Sequence, residues 1–384
     1  MKYILCSLLL FLASLQLYCQ NDTKTIDSLL KTYYKENEPG AFVYIGKNNK
    51  AIFKKGYGLA NMQSKEKISS TTSFNIGSLT KQFTAFCIVQ LAQKKQLSLQ
   101  DKLIKFFPDF NQQTGNRITI QQLLTHCSGI IDHYAFTDTS RIKHASDKDV
   151  LNAIKNTDST YFTPGTKYRY SNTAYCLLAL VIEKLSGLSY NEYIKKNIFT
   201  PLAMQHSVVF KPGKPIYKQA LGYDFDSGSN QFNRLDADDA IFFSTEGDGG
   251  IYTSADDYLH WFQSLQQPAA INKAVVQKCR SAQFLIDPVN KLFYGYGWFV
   301  SKKDSATAVY HTGSNGGFRA IVFTIPSENY MVAVFSNRTG VDLENLVSKV
   351  NEVMGVTNNS FTKTEALVSF INSSPIFAPC KEIP

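Results

Sequence analysis

The strongest constraint on the fold lies late in the chain. Four short β-forming runs, 294–300, 307–310, 318–325 and 330–335, follow one another with only turn residues between some of them, such as Lys302-Lys303-Asp304 and Pro326-Ser327-Glu328. Connections that short leave no room for a crossover, so the runs predict an antiparallel sheet. Two similar runs, 41–45 and 51–57, sit near the other end of the chain around a Lys47-Asn48-Asn49-Lys50 turn, and are expected to join the same sheet. Before them Ile26, Leu29, Leu30, Tyr33 and Tyr34 recur at helical spacing until Pro39-Gly40 stops the pattern. After the last strand a helix is expected over 343–354.

Between these ends the texture is mostly helical, with expected helices over 78–94, 118–126, 147–155, 172–185, 190–198 and 255–265. A long stretch rich in Gly, Asp and Tyr, 208–239, reads as loop, and loops of that length often line a cleft. The order predicts an α+β fold: an antiparallel sheet flanked by N- and C-terminal helices, with a mostly helical inserted domain. The expected division is 20–77 with 286–356 for the sheet domain, 78–285 for the helical insert and 357–384 for a tail. At 384 residues, 44% of them hydrophobic and only 18% charged, the chain is long enough for two such parts and too apolar to stay unfolded.

Lys2 followed by an apolar run from Tyr3 to Leu17 reads as a secretory signal peptide over 1–19, hence export to the periplasm or the exterior. The Leu17-Tyr18-Cys19-Gln20 junction lacks the small residues a signal peptidase prefers, and Tyr18 is a poor neighbour for lipid attachment at Cys19. Lys and Arg number 40 against 31 Asp and Glu, a net of +9. That charge is spread without a basic block or an aromatic-basic array, which argues against nucleic acid as a partner. Beyond Cys6 and Cys19, five cysteines remain: Cys87, Cys127, Cys176, Cys279 and Cys380. Their scatter does not form a disulfide framework, though one bridge of unreadable pairing has room to form. The six histidines include no pair at ligand spacing, so neither metal nor cofactor is expected.

Three stretches carry chemistry. In Ile76-Gly77-Ser78-Leu79-Thr80-Lys81, a glycine turn opens a helix whose Leu79, Phe83, Phe86 and Leu91 face a core. Three residues along a helix is nearly one turn, which sets the Lys81 ammonium beside the Ser78 hydroxyl: a nucleophile with a base, at a helix start rich in free N–H groups. The second stretch is Tyr170-Ser171-Asn172, after a Pro164-Gly165 turn, and the third is His311-Thr312-Gly313-Ser314 on a β-run. Each has a plainer reading alone, as a surface lysine, a helix cap or an edge-strand histidine.

In this order and spacing the three stretches resemble the serine β-lactamase and penicillin-binding superfamily, in particular its branch of class C β-lactamases, D-alanyl-D-alanine carboxypeptidases and related esterases. Leu123-Leu124-Thr125-His126-Cys127-Ser128-Gly129, Gly249-Gly250-Ile251-Tyr252-Thr253-Ser254 and Tyr294-Gly295-Tyr296-Gly297-Trp298 agree with it. The resemblance implies an acyl-enzyme on Ser78, with Lys81 and Tyr170 sharing the proton traffic. A nearby ammonium is expected to lower the Tyr170 pKa from its usual value of about 10 so that a phenolate can act as base. Asn172 is expected to orient Lys81 and a substrate amide, and the N–H groups of Ser78 and Ser314 to form the oxyanion hole. His311, Thr312 and Gly313 complete the substrate side. His311 stands where many relatives have lysine, so a pH-dependent cation replaces a permanent one for any substrate carboxylate. The expected activity is hydrolysis of an amide, a D-amino-acid peptide or an ester, with a small molecule or cell-wall peptide as substrate. A true class C-like β-lactamase and a non-catalytic ligand sensor are the alternatives. Arg319, Tyr223 and His133 are further candidates for substrate contact, and His126 and Cys127 read as packing at a helix end.

Overall fold

The structure is a computed structural model that describes residues 22–356, apart from 49, 136–143, 236–240 and 304. The signal peptide, Cys6, Cys19, the tail and Cys380 lie outside the described residues. Eight strands form one antiparallel sheet in the order Phe284–Asp287, Leu292–Tyr294, Phe299–Ser301, Ala308–Asn315, Phe318–Ile325, Tyr330–Ser336, Ala41–Lys47 and Lys50–Tyr57. The N-terminal hairpin thus docks on the last strand, with Ala41 opposite Ser336 and Lys47 opposite Tyr330.

Alternation along these strands builds two cores, because successive side chains leave the sheet on opposite faces. Val43, Ile45, Ile321, Phe323 and Val334 pack against Ile26 and Leu30 of the helix over 22–33 and against Leu346, Val347 and Val350 of the helix Leu343–Val353. Leu346, Val347 and Val350 are fully buried, and at about 1.5–3 kcal/mol for each large side chain removed from water, packing rather than helix propensity holds that helix in place. Phe42, Tyr44, Val322, Ala333 and Phe335 face the other way, into the helical part of the chain. There Phe83 stacks on Trp261 with ring centroids 4.5 Å apart, and Tyr258 meets Phe335 edge-on at 5.3 Å. The fold is therefore α+β, a sheet covered on one face by the two terminal helices and on the other by the helical insert.

Local chemistry sets the ends of the inserted helices. Ser146 and Asp149 form a capping box, as do Ser189 with Glu192 and Thr119 with Gln122. Three expectations need correction. The run 294–300 is not one strand: it breaks between Leu292–Tyr294 and Phe299–Ser301, because Gly297 has φ +77° and lies so close to Lys81 that a Cβ there would be 2.6 Å from its carbonyl oxygen. The stretch 208–239 is not all loop, since Tyr223–Asp226 pairs with Gln231–Arg234 and Val208–Val209 pairs with Ile251–Thr253. The sheet begins earlier than expected, at Phe284, after a short helix Lys273–Cys279 that the pattern did not reveal. Cys87, Cys127, Cys176 and Cys279 are buried free thiols, so no bridge forms among them. Among the described residues, no helix is long and apolar enough to cross a membrane.

Candidate active site

Ser78 sits in a single 3-10 turn, Gly77–Leu79, that runs into the helix Thr80–Gln93. Gly77 makes the turn with φ +49°, a conformation that costs an L-residue about 1–2 kcal/mol. A Cβ on Gly77 would lie 2.7 Å from the Ser314 nitrogen, and one on Gly313 would lie 2.1 Å from the Ile76 oxygen. Two glycines thus let the nucleophile turn and the strand Ala308–Asn315 meet backbone to backbone. That strand pairs with Phe299–Ser301 only as far as Tyr310, so residues 311–315 keep a free edge on this side. The turn after Asn315 closes on Phe318, and antiparallel alternation then turns the Ser314 N–H away from its partner Arg319, toward the Ser78 turn. The Ser78 and Ser314 N–H groups can converge on one oxyanion.

Lys81 is completely buried. Its Nζ donates to Ser78 Oγ at 3.0 Å, to Asn172 Oδ1 at 2.8 Å and to the Asp248 carbonyl at 2.9 Å, so every ammonium proton has a fixed acceptor. Burial lowers its pKa to about 8, against the upward pull of Asp248 and Asp132. Asn172 holds Lys81 while the cap of its helix, Asn172–Ser186, is supplied by Ser171, whose hydroxyl accepts the Ala174 N–H.

Tyr170 lies with its ring centroid 4.9 Å from Lys81 Nζ. Its hydroxyl is buried beside Ser78 without a hydrogen bond of normal geometry. Here the phenolate expectation is corrected: burial pushes the Tyr170 pKa up, outweighing the downward influence of Ser78. His126 explains the depth. Its ring stacks 4.2 Å from that of Tyr170, its Nδ1 accepts the Ser171 N–H at 3.1 Å, and its carbonyl accepts the Arg169 N–H at 2.9 Å. His126 itself has φ +57° and no exposure, and burial holds its pKa well below the usual range. Packing at a helix end is therefore only part of its work, since it also fixes the backbone of the second motif.

His311 is also corrected. It is fully buried, with Nδ1 donating to the Thr312 carbonyl at 2.6 Å and Nε2 accepting from the Tyr294 hydroxyl at 2.9 Å. Burial lowers its pKa to about 3, with the Thr312 carbonyl opposing and Lys81 assisting, so the ring is neutral at physiological pH and offers no cation to a carboxylate. Thr312 is half-buried and Ser314 exposed, so these are the side chains of the motif that reach solvent, with Gly313 the point of close approach to the Ser78 turn.

The other candidates divide. Tyr223 is buried and its hydroxyl accepts the Met62 N–H at 2.9 Å, so it braces the 59–62 segment and does not face a substrate. His133 is buried against Thr173, its N–H donating to Thr173 Oγ1 at 2.9 Å. Arg319 curls back to the Gly316 and Phe318 carbonyls at 2.8 and 2.7 Å. Two residues that sequence reasoning did not single out matter more. Asp248 supplies the carbonyl that holds Lys81, and the buried Asp147 accepts the N–H groups of Glu246 and Gly247 at 3.0 and 3.1 Å, fixing the loop that presents Asp248. Asp147, Cys176 and Asp248 also bring potential ligand atoms within 4.8 Å of one another. Asp147 already uses both oxygens on backbone donors, and burial pushes its pKa far up, which suits a loop anchor better than a cation ligand.

Beside Tyr170 a groove of about 640 Å³ runs between the 161–170 loop and the edge strand Phe284–Asp287, lined by Phe162, Lys167, Arg169, Leu285 and Ile286 among others.

Protein flp of Staphylococcus aureus strain NCTC 8325 is 31% identical over 342 residues, covering 86% of this chain but 66% of its own length. Penicillin-binding protein 4* of Bacillus subtilis strain 168 is 28% identical over 331 residues, covering 83% of this chain and 72% of its own. Among solved structures, an octameric penicillin-binding protein homologue from Pyrococcus abyssi superposes with a TM-score of 0.73 at 26% identity, over 94% of this chain and 80% of that one. The sequence pattern that defines the β-lactamase family matches residues 25–349, from the first helix through the last, and the chain belongs to that family.

Proposed function

We propose that this chain is an exported serine hydrolase that cleaves an ester or amide bond, including D-amino-acid peptide bonds, through an acyl-enzyme on Ser78. The observation that carries the reading is Lys81: a buried amine 3.0 Å from the Ser78 hydroxyl, with a pKa lowered to about 8. An amine so tuned loses its proton readily enough to take one from Ser78 near neutral pH. The serine oxygen then attacks the carbonyl carbon, and the carbonyl electron pair collects on oxygen between the N–H groups of Ser78 and Ser314. Collapse expels the leaving group, which takes a proton from Lys81 directly or through the protonated Tyr170 phenol. Water attacks the acyl-enzyme by the same route in reverse, releasing the acid and free Ser78.

The buried, neutral His311 bears on substrate choice. A carboxylate next to the scissile bond finds no permanent cation in the third motif, which favours simple esters and amides over substrates recognised by that carboxylate, β-lactams among them. The signal peptide expected over 1–19 and the penicillin-binding name of a relative support a cell-envelope source for the substrate.

The test is covalent labelling by a fluorophosphonate and by a fluorescent penicillin, followed by turnover of acyl esters, D-aminoacyl amides, D-alanyl-D-alanine peptides and a chromogenic cephalosporin. Wild type should label and turn over, and Ser78→Ala should do neither while remaining folded by circular dichroism. Undiminished labelling of Ser78→Ala would remove Ser78 from the mechanism. Stable labelling with no turnover of any substrate would mark a ligand sensor, and cephalosporin hydrolysis ahead of all others would mark a true β-lactamase.

A further inference from the structure

A buried ammonium needs a counter-charge as well as acceptors for its protons. The three acceptors of Lys81 Nζ are Ser78 Oγ, Asn172 Oδ1 and the Asp248 carbonyl, all of them uncharged. The negative charge has to come from the next layer. Behind the Asp248 carbonyl, Asp147, Cys176 and Asp248 bring a carboxyl oxygen, a thiol sulfur and a second carboxyl oxygen within 4.8 Å of one another, each residue buried.

The fold assembles this group from three elements. Cys176 stands one helical turn after Asn172, so the helix Asn172–Ser186 presents on one side both the amide that holds Lys81 and the thiol. The Cys176 thiol donates to Asp248 Oδ1 at 3.5 Å. Asp147 opens the helix Asp147–Ile154, and its two oxygens take the Glu246 and Gly247 N–H groups. The nucleophile helix grips the same loop, since the Thr84 hydroxyl donates to the Gly247 carbonyl at 2.6 Å. Asp248 is thereby fixed with its carbonyl on Lys81 and its side chain on Cys176.

Two carboxyls this close in a dry site do not both ionise. Asp147 is the one that keeps the proton, because burial pushes its pKa far up and Glu246 and Asp248 add to the rise. Around Lys81, burial lowers its pKa and Asp248 is the largest influence opposing that, ahead of Cys176 and Asp132. The remaining neighbours supply no charge. Burial lowers the pKa values of His126, His133 and His311 and raises those of Tyr170 and Cys176, so all five are neutral near pH 7. Asp132 faces His133, 3.5 Å from its Nδ1, and Glu246, the other acid beside Asp147, is paired with Lys211.

We infer that the Asp248 side chain is the counter-charge of Lys81, that Asp147 and Cys176 are positioning residues which keep the shared proton off it, and that this buried pair of acids sets the pH at which Lys81 becomes a base. The consequence for rate rests on the proposed role of Lys81 beside Ser78. The consequence for the charge on Lys81 does not.

The experiment follows two quantities across about pH 5 to 10. One is the rate constant for fluorophosphonate labelling, and the other is the Lys81 Cε resonance in protein carrying isotope-labelled lysine, assigned by its loss in Lys81→Arg. In wild type both should titrate near about 8. Asp248→Asn, of the same shape without the charge, should lower both midpoints by about one pH unit or more, and Asp248→Ala, should the amide disturb the fold, by as much. Labelling of Asp248→Asn should then be slower than wild type on the alkaline plateau, where a weaker base takes the serine proton, yet faster at about pH 6, where more of that base is free. A lesion of geometry alone would slow labelling at every pH and leave the midpoint where it was. Asp248→Glu restores the charge and should bring the midpoint most of the way back. Asp147→Asn mimics the protonated acid and should leave the midpoint in place, although a loosened loop slows labelling throughout. An unmoved Lys81 midpoint in folded Asp248→Asn or Asp248→Ala, a shift in Asp248→Glu as large as in Asp248→Asn, or a downward shift in Asp147→Asn that matches it would each overturn the inference. Labelling that survives Ser78→Ala would remove the proposed hydrolase mechanism, and a resonance that still shifts in Asp248→Asn as stated would uphold the counter-charge.

Discussion

In the proposed mechanism the base is decided by burial acting in opposite directions on two neighbours. Low-dielectric surroundings disfavour whichever form is charged, so they push the amine of Lys81 down to about 8 and the phenol of Tyr170 up. The amine becomes a usable base and the phenol a held proton. His311, sharing the same surroundings, is neutral down to about 3 and can contribute no ionisation between about pH 5 and 9. The acylation rate, measured as kcat/KM for a neutral ester, should therefore rise with pH as Lys81 loses its proton and level off above about 8. No second limb should appear near the usual histidine range. Lys81→Arg, which keeps a cation but cannot give up its proton, should lower kcat/KM by about 10²-fold or more. A limb near 6.5 that vanishes in His311→Asn would show that the histidine ionises after all, and a profile without the Lys81 limb would return the base role to Tyr170.

At the scale of elements, the centre depends on how closely a turn and a strand approach. Ser78 would be an ordinary helix-start serine if the strand Ala308–Asn315 stood back by the width of one methyl group. Gly313 and Gly77 prevent that, at Cβ distances of 2.1 and 2.7 Å from the opposing backbones. Gly313→Ala must move strand or turn, opening the angle between the two oxyanion donors. Losing one such donor costs about 10²–10³ in kcat, and that is the drop expected, with the thermal midpoint lowered but cooperative unfolding retained. A Gly313→Ala enzyme within about threefold of wild type in acylation would show that the Ser314 N–H is not part of the site. The elements themselves were largely readable in the sequence. Period-two runs and short turns announced the antiparallel sheet, and the apolar spacing from Leu79 to Leu91 announced the nucleophile helix. What stayed hidden was geometry set by remote contact. The 294–300 run looks continuous because Gly297 shows its reason for breaking the strand only when Lys81 is packed against it. His311 reads as an edge-strand histidine or a pH-dependent cation until the rings of Tyr294, Phe299 and Tyr170 are around it. Asp147 stands in sequence as one of three adjacent charges, Asp147-Lys148-Asp149, and its meaning lies in backbone groups 99 or more residues away.

The whole molecule joins parts that are far apart along the chain, and besides the apolar cores one side chain bonds to several of them. Asn337 directly follows the last strand. It is fully buried, its Oδ1 accepts the Gly40 N–H at 2.8 Å, and its Nδ2 donates to the carbonyls of Leu59, Ala60 and Leu221 at 3.0, 3.1 and 2.9 Å. These four backbone groups belong to the start of the first strand, the segment before the helical insert, the insert itself and, through Asn337, the end of the sheet. The Ala60 carbonyl also accepts the Leu221 N–H at 2.9 Å, but a backbone group this deep that loses its partner finds no water and costs about 1–3 kcal/mol before any relaxation. Relaxation recovers part of that sum, and Asn337→Ala should lose about 2–5 kcal/mol in urea unfolding with little change in the denaturant slope. Asn337→Asp discriminates between a lost volume and a lost network. It has nearly the same shape but no amide donors, and it turns a carboxylate toward three carbonyl oxygens. If the network is what joins the parts, Asp should be at least as damaging as Ala, and increasingly so as pH rises and the carboxylate ionises. An Asn337→Ala protein within about 0.5 kcal/mol of wild type, or an Asp variant clearly more stable than Ala, would mean that the sheet and the helical insert are held together by their apolar cores alone.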